Sequence, residues 1–190
     1  MLAITMVCVV IVFAIVMVQK EKGTLVKQAR AVTKDMVYEN AYIVSNDDGR
    51  LIFICDGDLY RAKGTMEENF TGVCDIEISG SKVKKIQIKP DDISGVMLSY
   101  GDGTMQIAGQ GDIPMQSDKL PVYDETGTSP KEIAVSDLII GSETLSYILD
   151  SGRICAIVRR QVPDLTYIRV LIKNDGKDAF PTIAAAAAAN

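Results

Sequence analysis

From residue 41 to residue 158 the chain is broken at short intervals by clusters of Gly, Asp, Asn and Ser. Asn46-Asp47-Asp48-Gly49, Cys55-Asp56-Gly57-Asp58, Ser79-Gly80-Ser81, Tyr100-Gly101-Asp102-Gly103, Gly109-Gln110-Gly111-Asp112 and Asp150-Ser151-Gly152 are the clearest. Such residues accept the positive φ angles of tight hairpins at little cost. The segments between them, such as Leu51-Ile52-Phe53-Ile54 and Ile154-Cys155-Ala156-Ile157-Val158, are β-branched, aromatic and apolar. Each is too short for a helix that could bury a face, and the punctuation leaves no room for crossover helices. The expected fold is therefore mainly β, built as small barrels of SH3-like size.

Two hairpins resemble each other. Ile76–Ile88 aligns with Tyr147–Val158 so that Lys82 falls on Arg153, Val83 on Ile154 and Ile86 on Ile157. The shared unit is strand, tight turn, basic residue, then an apolar–x–x–apolar strand. It points to two related modules, placed at 41–115 and 116–165, with Ile86 and Ile157 as equivalent core positions.

Ahead of them, residues 1–18, MLAITMVCVVIVFAIVMV, are wholly apolar. Eighteen helical residues reach about 27 Å, close to the ~30 Å hydrocarbon thickness of a bilayer. The run exceeds the usual apolar length of a secretory signal, and no small-x-small cleavage site follows. Residues 1–19 are read as an uncleaved single-pass anchor that takes the lipid bilayer as a partner. Residues 20–40 then place Leu25, Val26, Ala29, Val32 and Met36 at spacings of three and four among charges. That spacing predicts a short juxtamembrane amphipathic helix, through which copies could pair. Lys20, Lys22, Lys27, Arg30 and Lys34 all follow the run, which by charge alone favours a cytoplasmic soluble part. The chain opens inside the run without a basic leader, however, as though an upstream piece were missing.

Composition removes whole classes of chemistry. With no His, neither Ser-His nor Cys-His nucleophile pairs nor His-ligated metals can form. The balance of 20 Lys+Arg against 25 Asp+Glu, net −5, argues against nucleic acid as a partner. Cys55, Cys74 and Cys155 fit no zinc spacing and read as buried thiols, with a Cys55–Cys74 bridge as the alternative. The acidic pairs Asp47-Asp48, Asp56 with Asp58, Glu67-Glu68 and Asp91-Asp92 sit in turn-like contexts, where Asp hydrogen-bonds locally. Glu67 and Glu68, beside Phe70, lie outside the tightest turns and are the first to test for acid chemistry. Asp56-x-Asp58 lacks the remaining ligands of a calcium loop. Asn69-Phe70-Thr71 is formally a glycosylation acceptor, and Gly101-x-Gly103 and Gly109-x-Gly111 lack the strand–loop–helix setting of a phosphate loop. No catalytic, cofactor-binding or metal-binding residue is assigned.

Asp150–Asp175 ends in the strand Ile168-Arg169-Val170-Leu171-Ile172. It resembles the opening of a SpoIID/LytB domain of bacterial cell-wall proteins, whose first strand has this form. An anchor followed by β-rich sequence is similar to the organisation of such proteins in Gram-positive bacteria. Active members are peptidoglycan lytic transglycosylases, and their acid is a Glu in a motif like Leu-x-Gly-Val-Val-x-x-Glu-Met. That motif is absent here, so no catalytic residue carries over. Residues 166–190 hold the opening strand and a tail ending in alanines at 184–189. The resemblance implies a non-catalytic, extracytoplasmic part that positions a wall-acting domain, with peptidoglycan or an envelope protein as neighbour. The alternatives are a membrane-tethered adaptor for a protein partner, or an efflux-type adaptor, for which a long helical hairpin and lipoyl-like module are missing.

Overall fold

The computed structural model describes residues 28–161 apart from 48, 65 and 67–69. The anchor at 1–19, Glu67-Glu68 and the segment 166–190 lie outside the described residues. Among the described residues, no helix is long and apolar enough to cross a membrane. They divide after Ile88 into two compact units.

The first unit contains β1 (Arg30–Ala31), β2 (Met36–Asp47), β3 (Arg50–Cys55), β4 (Asp58–Lys63), β5 (Gly72–Ser79) and β6 (Lys82–Ile88). Strand order is β1-β4-β3-β2-β5-β6, and a parallel contact between β4 and β6 at Lys63 and Lys82 closes the sheet into a barrel. Side chains alternate along β5, with Cys74, Ile76 and Ile78 inside and Asp75 and Glu77 less buried. They meet Ala41, Ile43, Leu51 and Phe53 in one core. Tyr38, Phe53 and Tyr60 pack there as a ring cluster, with Tyr38 edge-on to Phe53 at 4.8 Å.

The second unit contains β7 (Ile93–Gly101), β8 (Thr104–Ile107), β9 (Gly111–Pro114), β10 (Val122–Asp124), β11 (Lys131–Ile133), a 3₁₀ turn at Val135–Asp137, β12 (Thr144–Asp150) and β13 (Arg153–Arg159). Its order is β11-β10-β13-β12-β7-β8-β9. A parallel bridge between Met115 and Ile154 brings the β9 end back to β13.

The two units share the register and bulges of their two hairpins. The ladder between hairpins differs, being bulged between Tyr38 and Ala41 in the first unit and unbroken from Ile93 to Val96 in the second. The β2–β3 hairpin pairs Asp47 with Arg50, Ser45 with Ile52 and, across a bulge at Val44, Ile43 with Phe53. The β7–β8 hairpin pairs Gly101 with Thr104, Ser99 with Gln106 and, across a bulge at Leu98, Met97 with Ile107. In β5–β6, Ile78 pairs with Val83 and Glu77 with Lys85, leaving Lys84 bulged. In β12–β13, Leu149 pairs with Ile154 and Ile148 with Ala156, leaving Cys155 bulged. Between hairpins, Ala41 faces Cys74 in one barrel and Gly95 faces Leu145 in the other. A β-carbon on Gly95 would lie 2.7 Å from Ile107 Cγ2, so this inward position is held to glycine. Bulges and register are hard to match by chance, because one slipped residue turns a whole strand inside out. The alignment of Lys82 with Arg153 is therefore structural as well as textual.

Local chemistry explains the hairpins. Asp56-Gly57, Asp102-Gly103 and Ser151-Gly152 each form a two-residue turn with both φ angles positive, 51° and 76°, 48° and 73°, and 53° and 75°. That geometry matches the twist of the strands it joins.

Two expectations are corrected. The boundary between modules falls at 88/89 rather than 115/116, because β7, β8 and β9 share a sheet with β12 and β13. Beyond Gln28, which is helical, the helix expected over 20–40 does not continue through its described part. Arg30–Ala31 pairs with β4, and Met36 onward belongs to β2. Ala29 and Val32 are buried as their spacing suggested, but Met36 is 54% exposed. Ladder partners on β4 and β5 outweigh the weak helical preference of this segment.

Candidate functional site

A chain of this composition places its charges in water unless they are paired. Among the described residues, two acidic groups are buried, Asp124 and Glu143, both in the second barrel. Asp124 ends β10, Glu143 precedes β12, and Arg159 ends β13. The parallel β10–β13 ladder sets Asp124 directly opposite Arg159. Arg159 Nε lies 3.4 Å from Asp124 Oδ1 and 3.6 Å from Glu143 Oε2. One guanidinium thus stands between two carboxylates whose side chains are 5% and 1% exposed.

Each carboxylate has further partners. Asp124 Oδ1 accepts hydrogen bonds from the Thr126 amide at 3.0 Å and hydroxyl at 2.6 Å, and Lys131 Nζ is 3.9 Å from Oδ2. Glu143 Oε1 accepts the Ile139 amide at 2.5 Å. Among the described residues, Glu143 Oε2, Arg159 Nε and the Tyr147 hydroxyl have no hydrogen-bond partner. Burial pushes the Tyr147 phenol well above its ordinary value, and the negative charge of Glu143 adds to this. Burial alone would raise Asp124 as well, but the two Thr126 hydrogen bonds, Arg159 and Lys131 outweigh it and hold the carboxyl below its ordinary 3.8.

A depressed carboxyl stabilises the fold above its unfolded pKa, and that contribution is lost as pH falls through the folded value. Asp124→Asn should therefore destabilise the second barrel near neutral pH, by about 2–3 kcal/mol. The difference from the parent should shrink below about pH 4, where the unfolded-state carboxyl takes up its proton. Urea midpoints measured against pH would read this directly. A difference independent of pH would contradict the charge assignment.

Next to this clamp, Arg160 bonds Asp91 and the Ser146 hydroxyl, the latter at 2.6 Å, and lies 3.4 Å from Glu125. The neighbouring arginines thus tie the β10 end and the start of β7 to the β12–β13 hairpin, one from within and one at the surface. β10, β11 and the 3₁₀ turn are an insertion without a described counterpart in the first barrel. The clamp is what seats that insertion.

As chemistry, the arrangement is a charge lock. A general acid needs a proton near neutral pH and room for substrate beside it; Asp124 is driven the other way, and the free oxygen of Glu143 faces Arg159. Among the described residues, no group of three Cys, Asp or Glu side chains is placed to hold a metal.

The acids singled out in the sequence are scattered. Asp56 is an exposed turn residue, and Asp58 pairs with Arg30 at 2.6 Å. Asp91 meets Arg160, while Asp92 accepts the Leu149 amide at 2.6 Å. Asp48, Glu67, Glu68 and Asn69 lie outside the described residues. Cys55, Cys74 and Cys155 are buried thiols that form no disulfide with one another. The Gly101 and Gly109 motifs lie in and beside hairpin turns. An open groove of about 360 Å³ in the first barrel is lined by Asp35, Met36, Val37, Glu77, Ile78, Ser79 and Lys84.

Sequence reading missed the Asp124–Arg159–Glu143 clamp. The one signal was a pair of basic residues, Arg159-Arg160, closing an otherwise apolar strand.

No family model, curated protein or solved structure matches the chain.

Proposed function

We propose that this chain is the membrane-anchored, non-catalytic N-terminal part of a SpoIID/LytB-like envelope protein. In this reading residues 1–19 hold it in the bilayer, two small barrels carry the chain outward, and Ile168–Ile172 opens a wall-acting domain. The observation that carries the proposal is the repeated barrel. A module repeated with the register and bulges of its two hairpins, and whose second copy locks its buried charges to one another, suits a spacer better than a reaction site. The SpoIID-like strand and the apolar run at the start of the chain support the same reading. A membrane-tethered adaptor that binds a protein partner would use the same two barrels without any wall chemistry.

Topology is the decisive test. An epitope inserted in the exposed loop at 116–119 should be removed by protease from intact cells. An epitope that survives would put the barrels inside and overturn the proposal. In the gene, the reading frame beyond codon 183 should continue into a Glu-containing SpoIID motif. A frame that runs into an unrelated domain favours the adaptor.

A further inference from the structure

Part of the interior of the second barrel is polar. Tyr147 on β12 lies directly opposite Ile157 on β13, and both are fully buried. Arg159 lies two residues beyond Ile157, and Glu143 lies four before Tyr147, so strand alternation turns both toward the same interior. Three buried polar atoms there have no hydrogen-bond partner among the described residues: Glu143 Oε2, Arg159 Nε and the Tyr147 hydroxyl. Their capacities are complementary. The carboxylate oxygen only accepts, the guanidinium N–H only donates, and the phenol does both. Leaving such groups unmet costs the full desolvation of each.

The charges around them select what can meet them. Asp124 and Glu143 are answered by Arg159 and Lys131, so the clamp is already balanced. A cation at Glu143 Oε2 would sit against the Arg159 guanidinium, and an anion at Arg159 Nε would sit against two carboxylates. Either would bury like charges side by side. A small neutral molecule that both donates and accepts meets no such penalty.

We propose that Glu143 Oε2, Arg159 Nε and the Tyr147 hydroxyl hold a single internal water molecule that completes the clamp. The water accepts from Arg159 Nε–H, donates to Glu143 Oε2 and forms its third hydrogen bond with the Tyr147 hydroxyl. The 3.6 Å between Nε and Oε2 is too long for a direct hydrogen bond but suits two atoms that share a third at about 2.9 Å. Three hydrogen bonds to otherwise unmet groups are the usual holding of a buried water. Tyr147 otherwise belongs to the apolar core of the barrel. The water therefore carries the clamp from the seat of the insertion into that core.

The test uses the full chain in detergent micelles, with isotope-labelled arginine. Cross-relaxation between water and Arg159 Hε is read as paired NOE and ROE spectra, in the parent and in Tyr147→Phe. The expected result is a water peak at Hε with NOE and ROE of opposite sign, which marks a water held longer than the protein takes to tumble. Direct proton exchange would give the same sign in both. The peak should persist in Tyr147→Phe, where no relay through a phenol proton is possible and the water keeps two hydrogen bonds. That variant should lower the folded-to-unfolded ratio by about two- to tenfold, the worth of one hydrogen bond. Absence of the peak in the parent, or equal signs, would overturn the proposal. A peak lost in a Phe variant whose β12 and β13 amides stay protected would trace the signal to the phenol and overturn it as well. Unchanged or raised stability of Tyr147→Phe would show a hydroxyl with no partner to lose, which overturns the three-way site.

Discussion

Replacing Arg159 by Met should destabilise the second barrel by about 3–5 kcal/mol, the range for removing one partner of a buried ion pair. The guanidinium is the cation shared by Asp124 and Glu143. Without it, Asp124 keeps Thr126 and Lys131, but Glu143 keeps only the Ile139 amide and is left as a buried charge. Met fills the volume of the Arg stem, so the loss reads electrostatics rather than a cavity. The second substitution that separates the two causes is Glu143→Gln. Placed on the Met variant, it should recover a large part of the loss, since it removes the stranded charge. Amide exchange of β12 and β13 in the full chain is the measurement. A cost below about 1 kcal/mol, or no recovery in the double variant, would show that the clamp does not hold the insertion.

Ile157→Ala should cost about 2–5 kcal/mol, while Ile86→Ala should cost roughly 1 kcal/mol. Both residues occupy the same rung of the repeated hairpin, opposite Tyr147 and Ile76 respectively. Their surroundings differ. Ile157 is fully buried and is also covered on its far side by Val122 of β10. Ile86 packs against its core but remains partly open, since β4 meets that side of β6 at Lys82 alone. Unfolding of each barrel can be followed by exchange of its own strands. Equal costs would mean that the insertion adds nothing to the burial of β13.

The hairpins were legible because their cause is local. Asp-Gly and Ser-Gly turns declare themselves within two residues, and the strands alternate between them. Lys82 and Arg153 could be aligned from sequence because each directly follows such a turn. The module boundary was not legible, because it depends on which distant strands pair. Nothing near residue 115 says that β9 returns to β13 while β7 runs beside β12. The segment at 28–40 misled for the opposite reason. Its apolar spacing was read correctly at Ala29 and Val32, but a three-or-four spacing also fits an irregular extended chain laid along a barrel. Asp124 and Glu143 carried no local signal, since their burial depends on Arg159, thirty-five and sixteen positions away in sequence.

A chain that writes the same barrel twice runs a risk during folding, because the closing hairpin of one copy can add itself to the open sheet of the other. Tandem repeats are prone to such exchanged assemblies. The rung between Ala41 and Cys74, matched by Gly95 and Leu145, works against it. Each barrel balances a smaller residue against a larger one, in different proportions. Exchange would press Leu145 against Ala41 in one copy and leave Gly95 facing Cys74 across a gap in the other. Both errors cost stability, one by crowding and one by a void. The divergence of the two cores thereby acts as a proofreading step that keeps each hairpin with its own partner.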